Sequence, residues 1–445
     1  MEIEMKQYID FFNTHKTTVD EGCSSLLNEY RAKAFENFSR KGLPNHPSEK
    51  YQHTNLAELL SPDFGFYLNR ADFPLQPRKV FHCNVPNMSA YSYYVVNGRF
   101  FAEDVSYELP NSVFIGGLND FSEKHPELFI QYYNKQAETK GDGLTAFNTS
   151  FVQDGFVLYL PKNVILEKPV QLTQIGSGAI DSLVNRRLLV IVEAGAQAQL
   201  LVCDHVTDDS AVLAATQVAE IYVAENASFD EYELEETTGK TIRLTQTWVE
   251  QARSSQTVLN NITLSNGLTR NHYQVDLQGQ NAETHLYGMA IADHQQKIDN
   301  YTQINHLVPH GRSKELFKYI LDDEAVGAFA GQIVVSPGAQ KTEAYQNNRN
   351  LLSGKECRMY SKPQLEIYAD DVKCSHGMTT GQLDETALFY MRSRGIPKEE
   401  AVLLLKYAFT NDVIQGIRLE GLRDRLKLLV EKRFRGELAT CRGCI

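Results

Sequence analysis

Between residues 156 and 371 the sequence is a series of short strand-forming runs: FVLYL at 156–160, LLVIV at 188–192, VAEIYV at 218–223, TVLNNITL at 257–264 and QIVV at 332–335. These runs are rich in Val, Ile, Leu, Tyr and Thr, which is the composition of β-strands. Small turn residues separate them, and a Gly-Ala pair recurs at 178–179, 195–196, 327–328 and 338–339. No helical pattern interrupts this stretch, which disfavours a doubly wound α/β fold.

Two architectures accommodate so many consecutive short strands. One is a set of stacked antiparallel sandwiches. The other is a single β-solenoid, in which Gly and Asn turn the corners and neighbouring coils cover one another. The spacing of the Gly-Ala pairs is irregular, and Gly-Ala is a common dipeptide, so the pattern alone leaves both architectures open.

Helical patterns flank this strand-rich core, which we assign to residues 156–380. Residues 1–78 form a predicted N-terminal helical region, and residues 79–155 mix short strands with a helical segment. Residues 381–445 are predicted to form a C-terminal helical domain.

Single residues predict where the C-terminal helices begin and end. Asp384 is a predicted N-cap and Gly395 a predicted left-handed residue at the end of the same helix. Pro397 suits the first turn of the next helix, and Asn411 is the predicted cap of a third.

Composition and charge exclude several classes of protein. The chain has 445 residues, and its net charge of −12 argues against a surface that coats nucleic acid or an anionic membrane. No apolar run approaches the roughly 20 residues that span a bilayer. The cysteine count is seven, an odd number at wide spacings, which is unlike a secreted disulfide framework. We therefore expect a cytoplasmic protein that binds neither nucleic acid nor membrane.

Catalytic motifs are not evident. The tripeptide Gly239-Lys240-Thr241 resembles the end of a phosphate loop, but the leading glycine is replaced by Leu234, so we interpret it as a turn. The acidic doublets at 208–209, 322–323 and 370–371 are not in themselves catalytic pairs, because neighbours on a strand point to opposite faces. We predict that the chain is not an enzyme and binds no nucleotide.

One segment carries candidate metal ligands. If residues 370–377 are extended, Cys374 and His376 lie on the same face, and a thiolate and an imidazole can hold iron or zinc. Two ligands do not close a tetrahedral site, so the site is either shared with another chain or absent. Cys441 and Cys444 have a chelating spacing too, but they stand at the C-terminus, where we expect a disordered tail.

The same segment resembles a known family. The stretch KPQLEIYADDVKCSHG at 362–377, followed by GQLDE at 381–385 and LFYMRSRGI at 388–396, is similar to the SufB/SufD family of the SUF iron–sulfur cluster assembly system, and to its SufD branch in particular. The motif AQKTEAYQNNRNL at 339–351 extends the resemblance upstream.

The resemblance implies a mainly β fold: a right-handed parallel β-helix flanked by N-terminal and C-terminal helical regions. It also implies a non-catalytic scaffold subunit that pairs with a SufB-like paralogue and docks a SufC-like ATPase, with a homodimer possible in isolation. The cofactor implied is a transient iron–sulfur cluster shared with the partner subunit.

Individual residues acquire expected roles from the resemblance. His376 matches a family histidine at the subunit interface, and Cys374 a neighbouring cysteine of less certain role. The ATPase is expected to dock near Phe389, Tyr390, Arg394 and Gly395. Cys357 lies where the SufB branch carries its assembly cysteine, which we interpret as chance, with an extra ligand as the alternative.

Two competing functions remain open from the sequence. A carbohydrate-active β-helix enzyme requires carboxylates that converge on the solenoid face. A metal-free adaptor would recruit the ATPase without supplying any ligand to a cluster.

Overall fold

A computed structural model shows a parallel β-solenoid of about eight turns flanked by helices, with 42% of the chain in strands. It describes residues 2–68, 77, 88–102, 107–110, 112–178, 180–207 and 209–437. The strands of the core pair in parallel, which excludes antiparallel sandwiches and confirms the predicted solenoid. The pair Cys441 and Cys444 lies outside the described residues.

The described residues of the N-terminal part form helices and four short strands. The helices are α1 Glu2–Asp20, α2 Ser25–Lys41, α3 Leu56–Leu59, α4 Leu118–Lys124, α5 Pro126–Tyr132, α6 Lys135–Lys140 and α7 Gly143–Phe151. The strands are β1 Gly65–Phe66, β2 Tyr91–Val96, β3 Arg99–Phe101 and β4 Phe114–Gly117. Because β2 pairs in parallel with Val170–Gly176, the solenoid sheet extends upstream of residue 156.

Two sheets form the solenoid, and successive strands alternate between them. The first sheet contains β5 Phe156–Leu160, β7 Ser182–Val192, β9 Leu213–Val223, β11 Thr241–Gln251, β13 Leu268–Leu277, β15 Lys297–His306, β17 Val326–Val335 and β19 Arg358–Ile367. The second contains β6 Val170–Gly176, β8 Gln197–Val206, β10 Ser228–Glu236, β12 Gln256–Ser265, β14 Glu283–Ala292, β16 Arg312–Leu321, β18 Glu343–Leu352 and β20 Lys373–Gly381.

The register shows the length of one coil. Lys297 pairs with Leu268 in the previous coil and with Val326 in the next, so each step there takes 29 residues. Side chains of register partners stack in columns along the solenoid axis, and alternate residues face the interior, which we call the lumen.

The lumen is apolar along one side and polar along the other. Phe229, Val275 and Tyr319 belong to its large apolar cluster. On the polar side, the buried guanidinium of Arg243 pairs with Asp204 at 2.9 Å and with Glu233 at 3.2 Å. These charges are acceptable inside the protein because they are paired and hydrogen-bonded.

Helices cover the outer faces of both sheets. All residues of α7 are buried, and its Phe147 packs with Ala214 and Leu244 of the first sheet. The C-terminal helices are α8 Glu385–Ser393, α9 Lys398–Gln415 and α10 Glu420–Phe434. Helices α9 and α10 pack on the second sheet through one apolar cluster.

The predicted cap at Asn411 is wrong. Helix α9 continues through this residue to Gln415, and the next helix begins after Leu419. Tertiary contacts explain the continuation, because Val413 and Ile414 are fully buried against the second sheet. Packing of an apolar face outweighs the modest preference of one asparagine for a cap.

Glu235 gives the fold an expected pH dependence. Burial raises the pKa of Glu235 to about 7, although Arg243 and the hydroxyl of Thr269, 2.7 Å away, oppose the shift. The pKa of Glu235 is higher in the folded protein than in the unfolded protein. Its contribution to stability is therefore full at pH values below the unfolded pKa and is lost as the pH rises through 7. Between pH 5 and pH 8, the free energy of unfolding of the wild-type protein should fall by about 3 kcal/mol through this group. We expect the Glu235→Gln protein to lack this decrease.

Urea unfolding at these two pH values measures the effect. The control is Glu324→Gln, since Glu324 is exposed on a turn. A Glu235→Gln protein that loses as much stability with rising pH as the wild type would contradict the prediction.

Candidate functional site at the open end of the solenoid

The last coil of the solenoid has no further coil above it among the described residues. Strands β19 and β20 are the terminal strands of their sheets, so each presents one unpaired edge. Most residues of both strands are partly or fully exposed, whereas β7 is buried throughout. Unpaired edges are templates for pairing with another chain.

Strand β20 carries Cys374 and His376 at this open end. Strand β20 pairs in parallel with β18, so that Cys374 lies beside Ala344 and His376 lies beside Gln346. Cys374 packs against the apolar cluster of the lumen, and residues two apart on a strand share a face. The thiol and the imidazole therefore lie on the inward face of the last strand, side by side.

The protonation state of Cys374 follows from its surroundings. Burial raises the pKa of its thiol, and a hydrogen bond involving the backbone of Ala344 opposes the shift only in part. The thiol is therefore protonated at neutral pH, and a metal ion that binds it displaces the proton.

The described residues do not complete a metal site by themselves. Nowhere in the described part of the chain do three or more His, Cys, Asp or Glu side chains cluster as metal ligands do. A tetrahedral iron or zinc site at Cys374 and His376 would need ligands from elsewhere.

Cys357 is not brought to this pair. Its Sγ lies 3.5 Å from the carbonyl oxygen of Leu321 and 3.2 Å from that of Gly354, and it is buried in the lumen cluster. Leu321 pairs with the last residue of β18, whereas Cys374 pairs with the second. At about 3.3 Å per residue, the two sulfurs lie near opposite ends of that strand, roughly 26 Å apart.

A second candidate surface lies on α8. Asp384 caps the helix by accepting from the backbone of Thr386 and Ala387, and Gly395 takes a left-handed φ of +87°, as the sequence predicted. No side chain of α8 is buried, and Phe389 and Tyr390 are 74% and 58% exposed.

Arg394 fixes the orientation of Tyr390 on this surface. Its Nη2 donates to the Tyr390 hydroxyl at 3.1 Å, and its guanidinium lies 5.1 Å from the ring centroid. The four residues named from the sequence therefore form an exposed aromatic patch with a cation at its side, which we call the α8 patch.

Sequence reasoning missed the apolar rim of the open end. Met378 on β20 and Ile367 on β19 are 48% and 40% exposed, and both lie on the inward face of the last coil, whereas Tyr360 lies on the outer face of β19 and stacks on His53 at 4.4 Å. The sequence did indicate this rim, because the strand pattern stops at residue 381, so that no later strand among the described residues covers the inward side chains of the last coil.

The predicted turn and acidic doublets occupy surface positions. Gly239 and Lys240 form a turn before β11, as predicted. Asp322 pairs with Lys406 of α9, and Asp371 pairs with Lys341. Asp208 lies outside the described residues.

Fold and site together define a class of protein. It is a parallel β-solenoid whose candidate functional groups lie on an open strand edge and on an appended helix. Among the described residues, no helix has the length and apolar character required to cross a membrane.

Comparison with known proteins gives the family. The chain matches the SUF system FeS cluster assembly SufBD core domain over residues 174–409 and the SufBD protein N-terminal region over residues 1–172. The chain belongs to the SufB/SufD family and is SufD-like, which supports a role in iron–sulfur cluster assembly.

Relatives agree with this assignment. An iron–sulfur cluster assembly SufBD family protein of Synechocystis sp. is 30% identical over 424 residues, covering 92% of this chain and 91% of the relative. The SufD protein of Bacillus subtilis is 27% identical over 70% of this chain and 72% of its own. The SufD protein of Escherichia coli is 36% identical over 39% of this chain and 41% of its own.

Proposed function

We propose that this chain is a non-catalytic scaffold subunit that supplies half of a site for a nascent iron–sulfur cluster. The observation that carries the proposal is the position of Cys374 and His376 on the inward face of the last, uncovered strand. The cluster is cargo, held transiently and passed on. Thiolate and imidazole are both ligands of iron–sulfur clusters.

The partner that completes the site is a SufB-like paralogue. A second solenoid of the same construction can place its own open end against this one, so that strand edges pair and each chain contributes ligands. The exposed apolar side chains of Met378 and Ile367 would be covered by that contact. In isolation, the same edges would pair two copies of this chain.

The α8 patch is the proposed docking site of a SufC-like ATPase. An exposed aromatic pair beside a cation is typical of residues that dominate protein–protein contacts. The partner would supply ATP hydrolysis. We place the complex in the cytoplasm, since no disulfide joins the described cysteines.

Co-expression with both partners under anaerobic conditions tests the proposal through His376→Ala. We expect the three-subunit complex to form and the visible absorption of the cluster to fall by more than about tenfold, because changes outside the ligand shell alone cost 10–100-fold. The matched control is His294→Ala, which removes an imidazole that is exposed on a turn far along the chain.

The outcomes separate the alternatives. A cluster that survives His376→Ala in an intact complex would support a metal-free adaptor. Failure of the wild-type chain to co-purify with either partner would reject the scaffold. Phe389→Ala should release the ATPase while leaving the pairing of the two solenoids intact. Turnover of a polysaccharide by the isolated chain would instead support a carbohydrate-active enzyme.

A further inference from the structure

A column of polar side chains runs through the lumen to His376. Glu315 on β16, Gln346 on β18 and His376 on β20 are successive register partners, so their side chains stack on one face of the second sheet. The register partner of Glu315 in the preceding coil is the buried, apolar Leu286, so the polar part of the column begins at Glu315. The polar column is therefore short and ends at the open end.

Hydrogen bonds orient the middle of this column. Gln346 Nε2 donates to Glu315 Oε2 at 2.7 Å, and the hydroxyl of Thr302 donates to the other carboxylate oxygen. A carboxylate only accepts hydrogen bonds, so the amide nitrogen of Gln346 faces Glu315 and its carbonyl oxygen faces away. Both Glu315 and Gln346 are completely buried.

Gly331 provides the space for this orientation. It lies on β17, across the lumen, and a Cβ there would come within 2.4 Å of Gln346 Nε2. Any larger residue at position 331 would displace the amide, so the backbone of the opposite sheet is shaped around it.

The carbonyl oxygen of Gln346 is left without a partner. Among the described residues, no donor reaches Gln346 Oε1, although the atom is buried. A buried acceptor without a hydrogen bond is costly and calls for a donor. The next side chain in the column is the ring of His376, one strand spacing of about 4.8 Å away.

We propose that Gln346 Oε1 accepts an N–H from His376, and that Glu315 and Gln346 are positioning residues for this histidine. The relay runs from the His376 ring to the Gln346 carbonyl and from the Gln346 amide to the Glu315 carboxylate. It holds one tautomer of the imidazole, and the other ring nitrogen keeps its lone pair for a ligand bond at the open end. Histidines that bind metals commonly donate their second N–H in this way.

The reason for orienting His376 rests on the proposed function, in which this histidine is a cluster ligand. The orientation itself can be tested without a cluster. Full-length protein labelled with ¹⁵N-histidine is examined by NMR at pH 8.5. Burial raises the pKa of Glu315 to about 7, so its side chain is an ionised carboxylate at this pH. The signals of His376 are assigned by their loss in His376→Gln. We expect one protonated and one unprotonated nitrogen with well-separated shifts, as a single tautomer gives.

Three variants then locate the origin of the effect. Gln346→Leu should bring the two shifts of His376 toward averaged values, and Glu315→Leu should do the same by freeing the amide to turn. Glu315→Gln should retain the single tautomer, because its carbonyl can still accept from Gln346. The matched control is Gln174→Leu, since Gln174 is a buried lumen glutamine in β6, at the other end of the solenoid.

The relay is overturned if wild-type His376 already shows averaged shifts, a result that requires no variant at the buried positions 315 and 346. It is overturned equally if folded Gln346→Leu keeps the wild-type shifts. In the cluster assay, Gln346→Leu should lower the yield by about 10-fold. Should His376→Ala leave the cluster intact, the proposed function fails while the NMR result on the relay stands by itself.

Discussion

Arg243→Ala should cost the folded protein about 3–5 kcal/mol, because it leaves the buried carboxylate of Glu233 without a counter-ion, while Asp204 keeps its pair with Arg186. Arg243 lies in the lumen on β11, where it bridges Asp204 at 2.9 Å and Glu233 at 3.2 Å. Its Nη1 also donates to Asn271 at 3.0 Å. These carboxylates hold the pKa of Arg243 above its usual range despite its complete burial.

Urea unfolding at pH 8 measures this loss, and Arg253→Ala is the matched control. Arg253 pairs with Glu225 on the surface, where its side chain is 62% exposed. Exposed pairs contribute about 0–1 kcal/mol, so the control should be nearly neutral. If Arg243→Ala were as mild as the control, the lumen network would not support the solenoid.

The lumen also explains what could not be predicted about the fold. The strands themselves were predictable from short runs rich in Val, Ile and Leu, and the solenoid was one of two architectures that these runs allowed. However, Arg243 and Glu233 alternate with apolar residues as solvent-facing residues do. Period-two alternation identifies two faces of a strand, but it does not distinguish a polar lumen from water.

The turns illustrate the same limit. Gly195 and Gly338 lie in turns with positive φ, as expected of glycine at a solenoid corner. Gly327 lies instead within β17, where a Cβ would approach the sulfur of Met359 at 2.7 Å. Identical dipeptides thus serve a corner and a close contact. The coil length also varies, from 26 residues between Ile242 and Leu268 to 32 between Val326 and Arg358, so the dipeptide spacing did not show the coil.

In the candidate site, only relations between residues close in sequence could be predicted. Residues two apart on a strand share a face, so Cys374 and His376 were placed together correctly from eight residues of sequence. Asp384 and Gly395 were likewise identified because capping depends on neighbours in the chain. Gln346 was not identifiable, since its relation to His376 depends on a register that spans 30 residues.

Met378→Pro should abolish pairing at the open end without disturbing the solenoid. The backbone N–H of Lys373 donates to Thr342 at 2.9 Å, toward β18. In a parallel sheet, alternate residues direct their N–H groups to opposite sides, so the N–H of Met378 points to the unpaired edge. Proline there removes an outward donor, and its ring obstructs an approaching strand, while every bond to β18 is retained.

Association with the proposed SufB-like partner should weaken by at least a hundredfold, or about 2.8 kcal/mol, as measured by sedimentation of the mixed proteins. Any homodimer of the isolated chain should dissociate in the same way.

Met378→Ala is the control, because it shortens the side chain but keeps the N–H, so main-chain pairing should persist with a smaller loss of affinity. An unchanged thermal midpoint for Met378→Pro would show that the solenoid is intact. Wild-type association by such a folded protein would mean that the partner binds a surface other than this edge, and Cys374 and His376 would then have to find their remaining ligands elsewhere.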